Sequence, residues 1–198
     1  PLPPPQAGMK DKDLYGIPWR AAMALQADGW YLRSDVVWDK PNGMCENVED
    51  RPTKTHEYFF LLSKSRHYFY DADAVREPLK PKTLTTYGSQ HRPQGNDDLG
   101  NVKSDNWGRT VKERKPRLKD DGTPAGANRR SVWRFAVGNS GADGHYATFP
   151  EGPIDICVRA GSRPGDTVLD PFAGSGTVAR VAERFGRSSI GIDLNADY

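Results

Sequence analysis

Thr167-Val168-Leu169-Asp170-Pro171-Phe172-Ala173-Gly174-Ser175-Gly176-Thr177 decides how this 198-residue chain is read. Its first residues have the β-branched and apolar character of a buried strand, and that strand ends on an acid, Asp170. Two glycines follow, and then a helical pattern from about Ser175 to Phe185. A second apolar strand, Ser188-Ser189-Ile190-Gly191-Ile192-Asp193, also closes on an acid. A strand, a glycine turn and a helix N-terminus together form a cradle for a nucleotide-like ligand. Gly174 and Gly176 permit a tight turn and a close backbone approach, because no Cβ intervenes. Asp193 is placed to accept hydrogen bonds from ribose hydroxyls.

Two ligand classes compete for such a cradle. Gly174-x-Gly176-x-x-Ala179 satisfies the dinucleotide fingerprint, with Asp193 about where its ribose-binding acid would stand, so an NAD-binding oxidoreductase is one reading. Asp170 discriminates. A carboxylate just before the glycine loop repels a pyrophosphate in a site of low dielectric, but suits a ligand with a positive amino group. The methionine part of S-adenosylmethionine carries one, and that cofactor is the reading we favour.

The same tract, Asp170-Pro171-Phe172-Ala173-Gly174-Ser175-Gly176-Thr177, resembles the cofactor motif of amino-methylating DNA methyltransferases, which modify adenine N6 or cytosine N4. Gly144-His145-Tyr146-Ala147-Thr148-Phe149-Pro150-Glu151 is similar to the segment that precedes a helix and the cofactor strand in that family. Asp13-Leu14-Tyr15-Gly16-Ile17-Pro18-Trp19-Arg20, Trp38-Asp39-Lys40-Pro41-Asn42 and Arg51-Pro52-Thr53-Lys54-Thr55-His56-Glu57-Tyr58 resemble it as well. With the cofactor motif late in the chain, the order is similar to the permuted subclass called beta. The resemblance implies an α/β, Rossmann-like doubly wound sheet in permuted order with a basic inserted region. It divides the chain into residues 9–79, a catalytic and target-base half; 80–130, a target-recognition insert; and 131–198, the half that binds S-adenosylmethionine.

Site residues follow from the resemblance. Asp170, Phe172, Gly174, Gly176, Thr177 and Asp193 form the cofactor site, and His145, Thr148 and Phe149 close over the methionine end. Lys40, Pro41 and Asn42, in the loop after a strand's carboxyl end, are candidate walls of a pocket for the target base, together with His56. The base must leave the duplex, since its exocyclic nitrogen is otherwise paired within the stack. The family's catalytic tetrapeptide, an acid, Ser or Asn followed by Pro-Pro and an aromatic, does not occur in these residues. The only adjacent prolines are Pro3-Pro4-Pro5, followed by Gln6. The expectation is an internal piece of a longer protein lacking the N-terminal catalytic strand, or else a non-catalytic remnant that binds DNA and cofactor. The partners implied are double-stranded DNA, a second copy in a homodimer and a restriction endonuclease counterpart.

Composition adds bounds. The chain carries 28 Lys/Arg and 26 Asp/Glu, a formal charge of +2. Residues 80–130 alone hold twelve Lys/Arg against six Asp/Glu, net +6, which leaves −4 for the rest. Such a basic, Gly/Pro-rich stretch fits contact with a phosphate backbone, and Arg109, Lys112, Arg114, Lys115 and Arg117 around Trp107 are the candidate DNA contacts. As charge alone, the same stretch reads as a solvated loop. No signal peptide or membrane-length apolar run is visible, so the expected location is the cytoplasm. Cys45 and Cys157 lack metal-ligand spacing and read as buried or incidental thiols.

The remaining pattern places the elements. Ile17, Trp19, Ala21, Ala22 and Leu25 predict a helix over about Tyr15–Ala27, ended by Gly29. Trp30–Trp38 and Glu57–Lys64 predict strands, with Arg66–Asp71 as a neighbour across a tight turn at Ser65. Ser131–Val137 reads as a short strand or an extended entry, and Pro150–Ala160 as a helix capped by Gly161.

Overall fold

A computed structural model describes residues 9–79, 118–120, 123–137 and 149–194. The chain divides into two compact units, one of residues 1–70 with 130–198 and one of residues 71–129.

The first unit opens with helix α1, Ile17–Ala27, which has Pro18 in its first turn, where a missing N–H costs nothing. The helix stops as predicted. Gly29 takes φ +95°, and the Trp30 N–H reaches back to the Leu25 carbonyl at 3.1 Å. Strand β1, Tyr31–Asp39, pairs antiparallel with β2, His56–Ser63, and parallel with β3, Val132–Arg134. The order is β2-β1-β3. Strand alternation splits β2 between two faces. His56, Tyr58 and Phe60 lie on one, where Trp19 of α1 meets Tyr58 and Phe60 edge to face, with centroids 5.6 and 5.0 Å away. Phe59 lies on the other, 6.0 Å from Trp38 and 5.7 Å from Trp133. Trp38 is 2% exposed, and its indole N–H donates to the Phe135 carbonyl at 2.8 Å.

The rest of the unit's described residues form helix–strand–helix–strand. Helix α2, Glu151–Gly161, leads to β4, Thr167–Asp170; helix α3, Thr177–Arg184, leads to β5, Ser188–Gly191, parallel to β4. Ile154 and Val158 of α2 close on Val181 of α3, with Val168, Val178 and Phe185 packed around them. The acidic first turn (Glu151) and basic last turn (Arg159) of α2 both complement its dipole. The alternation of helices and strands is the α/β pattern the sequence predicts, and among the described residues five strands pair in two groups, β2-β1-β3 and β4-β5.

Two local expectations change. Arg66–Asp71 is not a strand. A two-residue hairpin turn needs a positive φ, and no residue from 63 to 71 has one. Instead the Ser63 hydroxyl donates to the Ser65 carbonyl at 2.8 Å and the Ser65 hydroxyl to that of His67, which bends the chain away. Gly161 is the last helical residue rather than the cap; Ser162 follows in an extended conformation, its hydroxyl donating to the Val158 carbonyl at 2.6 Å. Cys45 and Cys157 are free, exposed thiols, which is the incidental one of the two readings.

In the second unit, Val75 is buried and Glu77 bridges Ala127. The Arg129 guanidinium donates to the Val75 carbonyl at 2.8 Å, and that of Arg76 to the Gly126 carbonyl at 3.2 Å and to Asn128 Oδ1 at 3.1 Å. Among the described residues, no helix is long and apolar enough to cross a membrane.

Candidate cofactor and base-binding sites

The glycine loop is built from backbone outward. Asp170, at the end of β4, accepts the Phe172 N–H at 3.0 Å and so turns the chain as it leaves the sheet. The Ala173 N–H donates to the Ile192 carbonyl at 2.9 Å, and the Gly174 N–H to Asp193 Oδ2 at 2.8 Å. Gly174 and Gly176 take φ +47° and +73°, a region costly to any residue with a Cβ. Nothing lies within 4 Å of where either Cβ would point, so the loop presents an open backbone surface. On its far side Arg180 braces it: the guanidinium donates to the Ser175 carbonyl at 2.6 Å and to Thr177 Oγ1 at 3.1 Å. Arg180 and Arg184 also pair with Glu151, at 3.7 and 2.5 Å. The hydrogen bond from Arg184 chiefly holds the Glu151 carboxyl below its ordinary pKa, with Arg180 adding to it.

The structure therefore brings Asp170, Gly174, Gly176, Thr177 and Asp193 together at one loop. Asp193 has a task the sequence did not suggest, since its carboxylate ties the exit of β5 to the glycine turn. Phe172 projects from the same loop, 86% exposed. Phe149 is 48% exposed, its ring 5.9 Å from Trp38 and 6.4 Å from Phe59. His145 and Thr148 lie outside the described residues, as do Trp107, Arg109, Lys112, Arg114, Lys115 and Arg117. Arg180 was missed from the sequence; its one signal is a position three residues into the helix that follows the loop.

The predicted base-pocket residues divide. Lys40 pairs with Glu57 and lies 4.7 Å over the Trp38 ring. Pro41 stands in a turn closed by the Gly43 N–H on the Lys40 carbonyl. The Asn42 amide accepts the Val137 N–H at 2.8 Å and donates to the Val137 carbonyl at 3.2 Å, so it prolongs the β1–β3 pairing with a side chain. His56 lines a cavity of about 820 Å³ with Trp19 and Tyr58; Lys40, Pro41 and Asn42 do not. The His56 imidazole Nε2 lies 3.0 Å from the Tyr58 hydroxyl. The alternation His56-x-Tyr58-x-Phe60 was the signal that could have found this aromatic face.

Parallel strands joined by a helix, with a glycine turn between and an acid from the second strand reaching back to it, define the class of α/β proteins that bind nucleotide-like cofactors at strand ends. The family within that class is set by comparison. The profile of the N6/N4 DNA methylases matches residues 6–198, and the chain belongs to that DNA methylase family. It is 40% identical over 196 residues to the Type II methyltransferase M.SmaI of Serratia marcescens, covering 99% of this chain and 53% of the relative. It is 44% identical over 191 residues to M.Cfr9I of Citrobacter freundii, covering 96% and 49%. The chain thus spans about half the length of these curated relatives. Its fold is similar to the solved cytosine-N4-specific PvuII DNA methyltransferase, with a TM-score of 0.59 and 17% identity over 98% of this chain and 57% of that one. It is also similar to M1.HpyAVI in its SAM complex, with a TM-score of 0.52 and 19% identity over 94% and 68%.

Proposed function

We propose that this chain is the cofactor-binding and base-handling part of a Type II DNA methyltransferase. Its reaction moves a methyl group from S-adenosylmethionine to adenine N6 or cytosine N4 of an extruded base. The observation that carries the reading is the open glycine loop between Asp170 and Thr177, laced to Asp193. Family membership supports it, and the cytosine-N4 and SAM-complex structures are the fold's neighbours.

The residues fit the cofactor chemically. Asp193 offers carboxylate oxygen beside the glycine turn for ribose hydroxyls. Asp170 offers negative charge to an ammonium group. Gly174 and Gly176 leave room for a flat adenosine to approach the backbone, and Arg180 keeps that backbone in shape from behind. The bound cofactor supplies an electrophilic methyl group on a sulfonium sulfur. The amino nitrogen of the base is the nucleophile, so no cysteine nucleophile is required, and the exposed Cys45 and Cys157 take no part. Alignment of the two reactants supplies much of the rate.

Residues 80–130 serve in this reading as the target-recognition region, with the basic run around Trp107 on the DNA. His145, Thr148 and Phe149 cover the methionine end. The test is methyl transfer to unmethylated DNA by the protein expressed from its complete reading frame, with nucleosides resolved by mass spectrometry. N6-methyladenine or N4-methylcytosine is expected, abolished by Asp170→Ala. Intact cofactor binding with no methylated nucleoside would overturn the reading in favour of a non-catalytic remnant.

A further inference from the structure

The turn at Gly174 and Gly176 is held from outside, because nothing lies within 4 Å on the side where their Cβ atoms would point. The Arg180 guanidinium donates to the Ser175 carbonyl at 2.6 Å and to Thr177 Oγ1 at 3.1 Å, so its two prongs grip the chain on either side of Gly176. Gly176 is the N-cap of α3 and has no side chain with which to fix that turn. A planar fork suits the task, since it meets two acceptors at once. It is also placed against the local field. A cation at a helix N-terminus is opposed by the helix dipole, and α3 has no acid in its first turn. The counter-charge comes from α2, where Glu151 lies 3.7 Å from Arg180 and 2.5 Å from Arg184. Glu151 is the first residue of that helix and stands two positions after Phe149.

The contacts run in one line, from the first turn of α2 through a carboxylate and a guanidinium to both sides of the Gly176 turn. We infer that Arg180 and Glu151 are positioning residues for the cofactor. Arg180 sets the ligand-facing shape of the loop, and Glu151 acts on the loop through Arg180. Affinity for S-adenosylmethionine therefore depends on a carboxylate carried by a different helix from the one the loop enters. Arg184 shares Glu151 but has no bond to the loop among the described residues, so it serves stability alone. The inference rests on the S-adenosylmethionine reading for the identity of the ligand; the mechanics of the loop do not.

The experiment uses the protein from its complete reading frame, well below its melting temperature, and reads two quantities. The first is hydrogen exchange, without cofactor, in peptides spanning residues 170–177. The second is S-adenosylmethionine affinity by titration calorimetry. Arg180→Ala should exchange faster and bind about tenfold more weakly, the scale of a charge-assisted hydrogen bond. Arg180→Lys should recover little of either, because an ammonium does not reproduce the fork. Glu151→Gln should move both in the same direction, by about threefold in affinity, the scale of an exposed ion pair. Added to Arg180→Ala, Glu151→Gln should cost nothing more; additive losses would break the relay. Arg184→Ala should lower the melting temperature slightly and leave affinity and loop exchange unchanged. Wild-type exchange and affinity in Arg180→Ala would overturn the proposal. So would full recovery by Arg180→Lys, which would leave only a point charge, or an equal loss in Arg184→Ala, which would make the whole cluster structural. Methyl transfer assayed in parallel separates this proposal from the functional reading. Exchange and affinity that follow the variants without any transfer keep the relay and remove the enzyme; transfer with both indifferent to the variants removes the relay alone.

Discussion

Residues 149–194 and residues 9–63 hold their sites by different means. In the former, the site is a backbone shape: two left-handed glycines, a carboxylate on an amide, and a helix packed by small aliphatic side chains around Val181. In the latter, it is an arrangement of rings, with Trp19, Tyr58 and Phe60 on one face of the sheet and Trp38 and Phe59, met by Trp133 of β3, on the other. The first kind of site is written in consecutive residues. The second exists only once strands have paired, and it is filled by side chains that look like ordinary core until the cavity beside them is seen.

If that contrast holds, the largest effect comes from the aromatic half. Trp38→Ala removes a buried ring and leaves the Phe135 carbonyl without its donor. The loss should be about 3–5 kcal/mol, read as a lower urea midpoint. A loss below about 1 kcal/mol would show that rings do not hold this half. Next comes Gly191→Val, at the contact between β5 and the glycine loop. Its Cβ would lie 2.8 Å from the Cβ of Ala173. Overpacking of this sort costs about 1–3 kcal/mol. Because Ala173 adjoins Gly174, titration calorimetry should also show weaker S-adenosylmethionine binding, whereas Trp38→Ala should act through stability.

Gly176→Ala probes the backbone shape itself. Forcing a Cβ into φ +73° should cost about 1–2 kcal/mol in thermal unfolding, and Gly176→Asn less, since Asn tolerates that region. The smallest effect is the pH dependence of the Glu151 pairs. The folded carboxyl titrates below its ordinary 4.5 because Arg184 and then Arg180 favour its charged form. The pairing therefore contributes fully above that value and is lost as pH falls through the lowered one. Urea melts from neutral pH to about pH 3 should show a shallower fall for Glu151→Gln than for wild type.

The sequence was most informative where structure is local. Helical spacing, Gly29 and the Asp170–Thr177 run located α1, α3, β4 and the loop, because propensity and required φ belong to single residues. Arg66–Asp71 failed because nothing in its own sequence forbids a strand; what is missing is a positive-φ turn before it. The structural task of Asn42 was illegible for another reason. Turn formers after a strand suggest a ligand wall, and only the arrival of Val137 from far along the chain shows the amide acting as a strand partner. The cavity was illegible because Trp19 and Tyr58 meet only through tertiary packing.

β3 docks on β1, not on β2, its predecessor along the chain, and the polypeptide leaves the strand-bearing unit after Tyr70 and rejoins it at Arg130. The points of departure and return are thus fixed by the sheet, whatever runs between them. Closing a longer loop is cheap, at about 0.6 kcal/mol for each doubling of length. The proposed recognition region is in that sense an interchangeable cassette. On that reading, selection can rewrite or lengthen the inserted segment at little thermodynamic penalty, while the sheet and the glycine loop evolve under separate constraint.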